Sequence, residues 1–316
     1  MSLAQIRLGT APDSWGVWFP DDPQQVPWHR FLDEAAAAGY AWIELGPYGY
    51  LPTDPERLRD ELAQRDLRLS GGAVFAGLHR GVEALRQAVE DCRQEARLLT
   101  ELGARHLVLL PEGYTDLEGN LTQPPQLTAE QWSSLCAGMS ELGKMVADEY
   151  GIALVFHPHA DSHVGSQAEV ERFLDSTDAA TVNLCLDTGH ISYCGGDNLA
   201  IIERFPERIG YLHLKQVDTE VLRLVRSERL CFAEAVRRGV MTEPPNGVPA
   251  MSPVLERAAA LGVDLFAIVE QDLYPCDADL PFPIARRTAG YLGSCGLGPV
   301  RSTNRSARGS LQKGTS

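Results

Sequence analysis

Short apolar runs alternate with amphipathic stretches along almost the whole chain. The apolar runs fall at Ile6–Thr10, Trp42–Leu45, Leu67–Gly71, His106–Leu110, Ile152–Phe156, Val182–Leu186, Ile209–Leu214 and Leu265–Val269, and each reads as a strand. Helical patterns lie between and after them, at Trp28–Ala38, Pro55–Gln64, Ala84–Leu102, Thr128–Tyr150, Gln167–Ser176, Leu199–Phe205, Pro253–Leu261 and Arg286–Gly293. Gly39 and Gly103 stand where helix C-caps are expected, and Thr128 stands at an N-cap. Eight strands alternating with helices predict an α/β chain folded as a (β/α)8 TIM barrel. An open doubly wound sheet shares the alternation. It would want a glycine-rich phosphate turn after an early strand, and no G-x-G-x-x-G occurs.

Two stretches fit this rhythm less well. Between the seventh and eighth strands, residues 216–250 predict only a small helix near Phe232–Arg238 and a loop holding Pro244, Pro245, Asn246 and Gly247. Residues 299–316 are rich in Ser, Arg, Gly and Lys and predict a disordered tail. With no boundary inside residues 1–298, one catalytic barrel domain is expected there.

Composition narrows the partners. The 316 residues carry a formal net charge of -15, which repels phosphate backbones and anionic lipid. Neither nucleic acid nor membrane is therefore expected as a partner, and no apolar run is long enough to span a bilayer. The seven cysteines include no C-x-x-C pair and read as reduced thiols of a cytoplasmic protein. Residues 1–7 show no secretory leader. Assembly as a homo-oligomer is compatible with all of this.

In a (β/α)8 barrel the site is built at the C-terminal ends of the strands. Ionisable residues cluster there: Glu44 on the second strand, Glu112 after the fourth, His157 and His159 after the fifth, Asp187 and His190 after the sixth, His213 and Lys215 on the seventh, and Glu270 and Asp272 after the eighth. Chance would scatter them over both rims. Strand alternation points His157 with His159, and His213 with Lys215. His157, Asp187, His213 and Glu270 would offer imidazole and carboxylate donors from four successive strands. Such a set suits a divalent metal, with Mn the leading candidate and Co, Mg, Zn and Fe the others. Each residue also has a plainer reading. Asp187 could cap the following turn, His213 could be a satisfied core histidine, and Glu270 could pair with a barrel cation. Glu44 and Glu112 could cap the helices that follow them. His79, His106 and His163 read as structural or exposed.

Three segments, Leu186-Asp187-Thr188-Gly189-His190, Tyr211-Leu212-His213-Leu214-Lys215 and Val269-Glu270-Gln271-Asp272, resemble the xylose isomerase-like barrel superfamily. The likeness runs from Leu8 to about Leu292. Ile43-Glu44-Leu45-Gly46-Pro47-Tyr48-Gly49-Tyr50-Leu51-Pro52 and His157-Pro158-His159 resemble its inosose (2-keto-myo-inositol) dehydratase branch. The resemblance implies a divalent metal, enediolate chemistry and a small polyhydroxy carbohydrate or cyclitol as substrate. It implies Asp187, His213 and Glu270 as ligands, and His190 and Lys215 as residues lining the substrate. Two departures stand out. Isomerases of the superfamily carry Glu on the fifth strand where this chain has His157, so either His157 or His159 takes the ligand place. His157 is preferred because it directly follows the apolar strand. The H-x-K motif is usually followed by Asp, and here Gln216 stands there.

A carbonyl and its neighbouring hydroxyl held on a Lewis acid become acidic at the carbon between them. A base removes that proton, and the acid that follows decides the product. Protonation at carbon gives an isomerase or epimerase. Protonation of a β-hydroxyl gives a dehydratase, which the branch resemblance favours. Elimination of a glycoside from a 3-keto-sugar is a third outcome of the same first step. His159 and Glu44 are the expected proton-transfer residues, Lys215 and His190 orient or polarise the substrate, and Trp15, Glu112 and Gln271 are expected to contact it.

Overall fold

The computed structural model describes residues 3–298, so the expectation of a disordered tail over 299–316 lies outside the described residues. Eight parallel strands close into a barrel: β1 (Ile6–Thr10), β2 (Trp42–Pro47), β3 (Arg68–Ala76), β4 (His106–Pro111), β5 (Ala153–Phe156), β6 (Val182–Asp187), β7 (Ile209–Leu214) and β8 (Leu265–Val269). Each pairs with its sequence neighbours, and β1 closes the ring by pairing with both β2 and β8. Three strands keep the predicted bounds. The third runs five residues further than expected, because residues 72–76 continue the ladder with β4.

Alternation along these strands sorts their side chains into two layers. Leu69, Leu107, Leu109, Leu154, Phe156, Leu184, Leu186, Leu212, Leu214, Leu265, Ala267 and Val269 face outward and pack with the helices into one large apolar cluster. Their strand neighbours Val108, Val155, Cys185, Tyr211, Phe266 and Ile268 form a separate cluster inside the barrel. The outer helices begin at strong local signals. Thr128 and Ser166 each form a reciprocal capping box with the residue three further on, Gln131 and Glu169. Asp54 caps a helix that opens with Pro55.

The segment between β7 and β8 is more ordered than its sequence suggested. Asp218 caps a helix at Thr219–Glu228, and the predicted short helix follows at Phe232–Arg237. Gln216–Val217 and Met241–Thr242 pair as a small antiparallel ribbon. Val217, Leu222, Val225, Phe232, Val236 and Met241 give this cap a small core of its own. Gln216, which stands where the superfamily motif has Asp, pins the cap. Its amide donates to the carbonyl of Pro249 (2.6 Å) and accepts from the N–H of Gly247 (3.0 Å). No helix among the described residues is long and apolar enough to cross a membrane.

Candidate active site and metal centre

The inward face of several strands changes character toward the C-terminal end. On β7 the order is Tyr211 then His213, on β2 Trp42 then Glu44, and on β6 Cys185 then Asp187. Above β5 and β8 the same alternation delivers His157 and Glu270. His157, Asp187, His213 and Glu270 each offer one donor atom, all within 4.8 Å of one another, and all four residues are buried. The Nε2 of His157 lies 3.2 Å from Asp187 Oδ2, and the Nδ1 of His213 lies 2.8 Å from Glu270 Oε2.

The turn after β6 explains its own sequence. Asp187 does two things at once. Its Oδ1 accepts the N–H of His190 (2.7 Å) and caps the helix Thr188–Tyr193, while Oδ2 faces the cluster. Thr188 locks the end of β7: its hydroxyl donates to the carbonyl of Lys215 (2.7 Å) and accepts that residue's N–H (2.9 Å). A side chain on Gly189 would collide with the Lys215 stem. Aspartate, threonine and glycine are therefore each required by a different contact of one turn.

Lys215 is the hub of the electrostatics. Its ammonium lies 2.9 Å from Glu270, 3.1 Å from Asp272, 3.4 Å from Asp187 and 3.7 Å from Asp13. Burial opposes its charge, but Asp187, Asp272, Glu270 and Asp13 outweigh burial and hold its pKa well above the lysine range. Glu270 is likewise desolvated, yet His213 and Lys215 keep it ionised below the usual carboxylate range. Asp13 and Asp272 go the other way, raised first by burial and, among their charged neighbours, by Glu270. Four carboxylates around one ammonium leave buried negative charge in excess, and buried charge needs a counter-charge.

Whether the residues fit a divalent ion can be read from the donors. The Nδ1 of His157 is buried without a hydrogen-bond partner, and the Nδ1 of His213 is buried against the Glu270 carboxylate it faces. Mixed imidazole and carboxylate donors with unused lone pairs, in a pocket short of positive charge, match what such an ion needs. Glu44 completes the picture from behind: it is buried and lies 3.1 Å from His213 Nε2, where it would hold the proton of a ring whose Nδ1 is given to an ion.

A cavity of about 370 Å3 opens above this cluster. Glu44, His157, His159, His213, Lys215, Glu270, Asp13 and Asp272 all line it. His159 donates from Nδ1 to the carbonyl of Ala160 (2.6 Å), so its Nε2 is a free acceptor. Burial, then the neighbouring His157 and Lys215, push its pKa down to about 3. His190 sits behind it, ring centroids 4.0 Å apart, and is not among the cavity's lining residues. Its Nε2 lies 3.3 Å from the Lys215 ammonium, and burial and His159 hold it well below the imidazole range. Phe232 from the cap closes over both rings, at 5.1 and 5.0 Å. Its backbone N–H is held by Asp161 (2.7 Å), which also accepts from the Thr115 hydroxyl.

Besides His190, three residues expected at the substrate lie elsewhere. Trp15 is fully buried, and its indole N–H donates to Glu34 (2.8 Å), in the layer outside β1. Glu112 is turned aside into an ion pair with Arg80 (2.7 Å). The Gln271 amide donates to the carbonyl of Met241, tying β8 to the ribbon. None of the three lines the cavity. Conversely, the sequence does not mark Asp13, and it places Asp272 at the rim without giving it a role. Asp272 carried a signal, since it shares the face of Glu270 two residues earlier. Asp13 follows β1 in a single 3-10 turn, where no periodicity marks it.

Comparison with known proteins agrees with this geometry. The model of the xylose isomerase-like TIM barrel family matches residues 32–272, and the chain belongs to that family. An inosose dehydratase of Geobacillus thermodenitrificans (strain NG80-2) is 30% identical over 93% of this chain and 98% of the relative. One from Bacillus thuringiensis (strain Al Hakam) is 29% identical over 91% and 96%. Among solved structures, the IOLI protein with a binding zinc atom aligns with a TM-score of 0.69 at 15% identity, over 91% of this chain and 98% of that one. L-ribulose 3-epimerase aligns at 0.65 and 18%, over 94% and 95%.

Proposed function

We propose that this member of the xylose isomerase-like barrel family is a divalent-metal-dependent carbon–oxygen lyase that dehydrates a keto-cyclitol or keto-sugar, with 2-keto-myo-inositol as the leading substrate. The observation that carries the reading is a cluster of four convergent donors, three of which (His157, His213 and Glu270) line the same cavity as a free imidazole acceptor, His159 Nε2. The inosose dehydratases matched over nearly their full length support dehydration over the alternatives. His157, Asp187, His213 and Glu270 would hold the ion, with Mn favoured by the mixed donors. When bound, it would supply Lewis-acid polarisation of a carbonyl and the adjacent hydroxyl.

The chain's own groups then divide the work. His159 takes the proton from carbon through Nε2, because Ala160 occupies its other nitrogen. Lys215 stays charged and faces the developing oxyanion. Asp13 or Asp272, whose carboxyls keep a proton more readily than free aspartates, gives it to the departing hydroxyl. Glu44 fixes the tautomer of His213, and His190 with Phe232 holds the ring of His159 in place. The unpaired cysteines among the described residues suit a reducing, cytoplasmic setting.

The test is a panel of keto-cyclitols, keto-sugars and ketose phosphates with the Mn-loaded protein, followed by mass. A product lighter by one water is expected from 2-keto-myo-inositol. With the same panel in deuterium oxide, products from every reactive substrate that lose no water and gain only the mass of one deuterium on carbon would replace the lyase with an isomerase or epimerase.

A further inference from the structure

The cavity changes chemistry between floor and mouth. The floor is ionisable, as described. The mouth is walled by Trp18, Phe19, Phe75 and Phe232. Phe75 is 57% exposed and Phe19 is 37% exposed, although neighbouring Val74 and Ala76 are buried against the helices. Scattered exposed hydrophobics need no explanation. These two are not scattered: both face one cavity, beside an aromatic stack. Trp18 lies parallel to Tyr274 with ring centroids 5.0 Å apart, and Phe19 meets Tyr274 edge-on at 5.4 Å. The Tyr274 hydroxyl is anchored on Asp22 (2.6 Å), so the wall is held in place.

The mouth offers little to a hydroxyl. Asp161 already accepts from Thr115 and from Phe232 N–H, and Asp116 from the side chain and backbone of Asn120. Space does not end at the wall either. Trp18, Phe19 and Phe75 also line an adjoining pocket of about 390 Å3. A bare polyhydroxy ring is matched by the floor alone and leaves these aromatic faces uncovered.

We infer that the site also takes a larger substrate than a bare keto-cyclitol: a polyhydroxy ketone bearing an aryl substituent, with the keto ring on the ionisable floor and the aryl ring between Phe75 and the Trp18–Phe19 wall. This rests on the reading of the floor as a carbohydrate site, and it adds a second substrate class to that reading. Stacked aromatic pairs prefer centroid separations the wall already shows, and they add selectivity beyond buried area.

The test separates binding from chemistry by using probes that cannot react. Isothermal titration with the full-length protein compares p-nitrophenyl β-D-glucopyranoside with methyl β-D-glucopyranoside. The aryl probe is expected to bind at least about tenfold more tightly, in the range one well-buried aromatic contact supplies. Phe75→Ala and Phe19→Ala should each remove most of that preference and leave the methyl probe unchanged. Both side chains lie at the surface, so the fold does not depend on them. Equal affinity for the two probes, or a preference that survives both substitutions, overturns the inference. So does a change of oligomeric state in either variant with the preference intact, which would make the aromatics a contact between copies. Aryl preference together with no loss of water from any ketone of the substrate panel would instead leave the subsite standing and remove the lyase reading.

Discussion

The two ends of the barrel interior are built from the same strands and behave as opposites. At the N-terminal end, Trp42 and Phe266 meet edge to face at 4.9 Å, and His106 and Tyr211 lie 5.2 Å apart. Arg7 and Arg68 cover this end from outside, over the rings of Phe266 and Trp42. Two residues further along β2 and β7 come Glu44 and His213, and four further along β8 comes Glu270. One end is closed by ring packing, which is stabilising and indifferent to charge. The other gathers four carboxylates around one ammonium, an arrangement that costs desolvation energy and is kept for what it binds. Stability carried at the far end lets the rim hold chemistry that a self-sufficient core would exclude.

The largest effect expected from breaking this division is at Asp187. Asp187→Asn keeps an oxygen for the His190 N–H and removes the charge between His157, His213 and Lys215. Metal content and turnover should fall together by more than about 100-fold, since even outer-shell changes cost about 10–100-fold. The metal-free protein should keep its melting transition, because the aromatic end is untouched. Elemental analysis after dialysis and a chelator-treated thermal melt check both halves. Wild-type metal content in this variant would move the centre elsewhere.

The aromatic end has its own signature, in pH. Burial holds His106 neutral, with its pKa lowered to about 4. The unfolded chain takes up this proton near the ordinary value of about 6.5. The contribution is therefore complete above about pH 6.5 and is lost as pH falls toward 4, because only the unfolded state binds the proton in that window. The loss from this one residue should reach roughly 3 kcal/mol by pH 4. His106→Phe should flatten that part of the stability curve in urea titrations between pH 7 and 4. His159 and His190 are shifted the same way, so the variant keeps their share of the slope. An unaltered slope would mean that His106 is solvated.

How much of this was legible beforehand differs between the two ends as well. The strands were readable because their apolar runs are continuous, and β1, β7 and β8 keep the predicted bounds. The four clustered donors were readable because each ends a strand, where alternation fixes direction. Side chains on turns were not. Trp15 and Glu112 sit near strand ends, but one folds into the core onto Glu34 and the other is drawn to Arg80. The helix at Thr219–Glu228 carried a cap and the apolar positions Val221, Leu222 and Val225, and went unread beside its glycine- and proline-rich neighbour. The aromatic mouth was invisible, since Phe19, Phe75 and Phe232 belong to three separate segments that only the fold brings together.

Glu44 gives the smallest and most discriminating effect, because it joins the two ends. It stands one alternation above Trp42, lines the cavity, and is bonded to the far side of the His213 ring. The sequence suggested a proton-transfer residue, whereas its contact suggests a positioning one. The two roles predict different kinetics. Glu44→Gln retains an oxygen for His213 Nε2–H but loses the charge that makes the ring a stronger donor. Positioning predicts metal affinity lower by about 10–100-fold, with kcat restored to within a few-fold at saturating metal. Proton transfer predicts unchanged affinity and a kcat that excess metal cannot rescue. Metal titrations read by both binding and turnover separate them. We expect the first pattern, because a carboxylate already bonded to a buried imidazole is poorly placed to take a second proton from substrate.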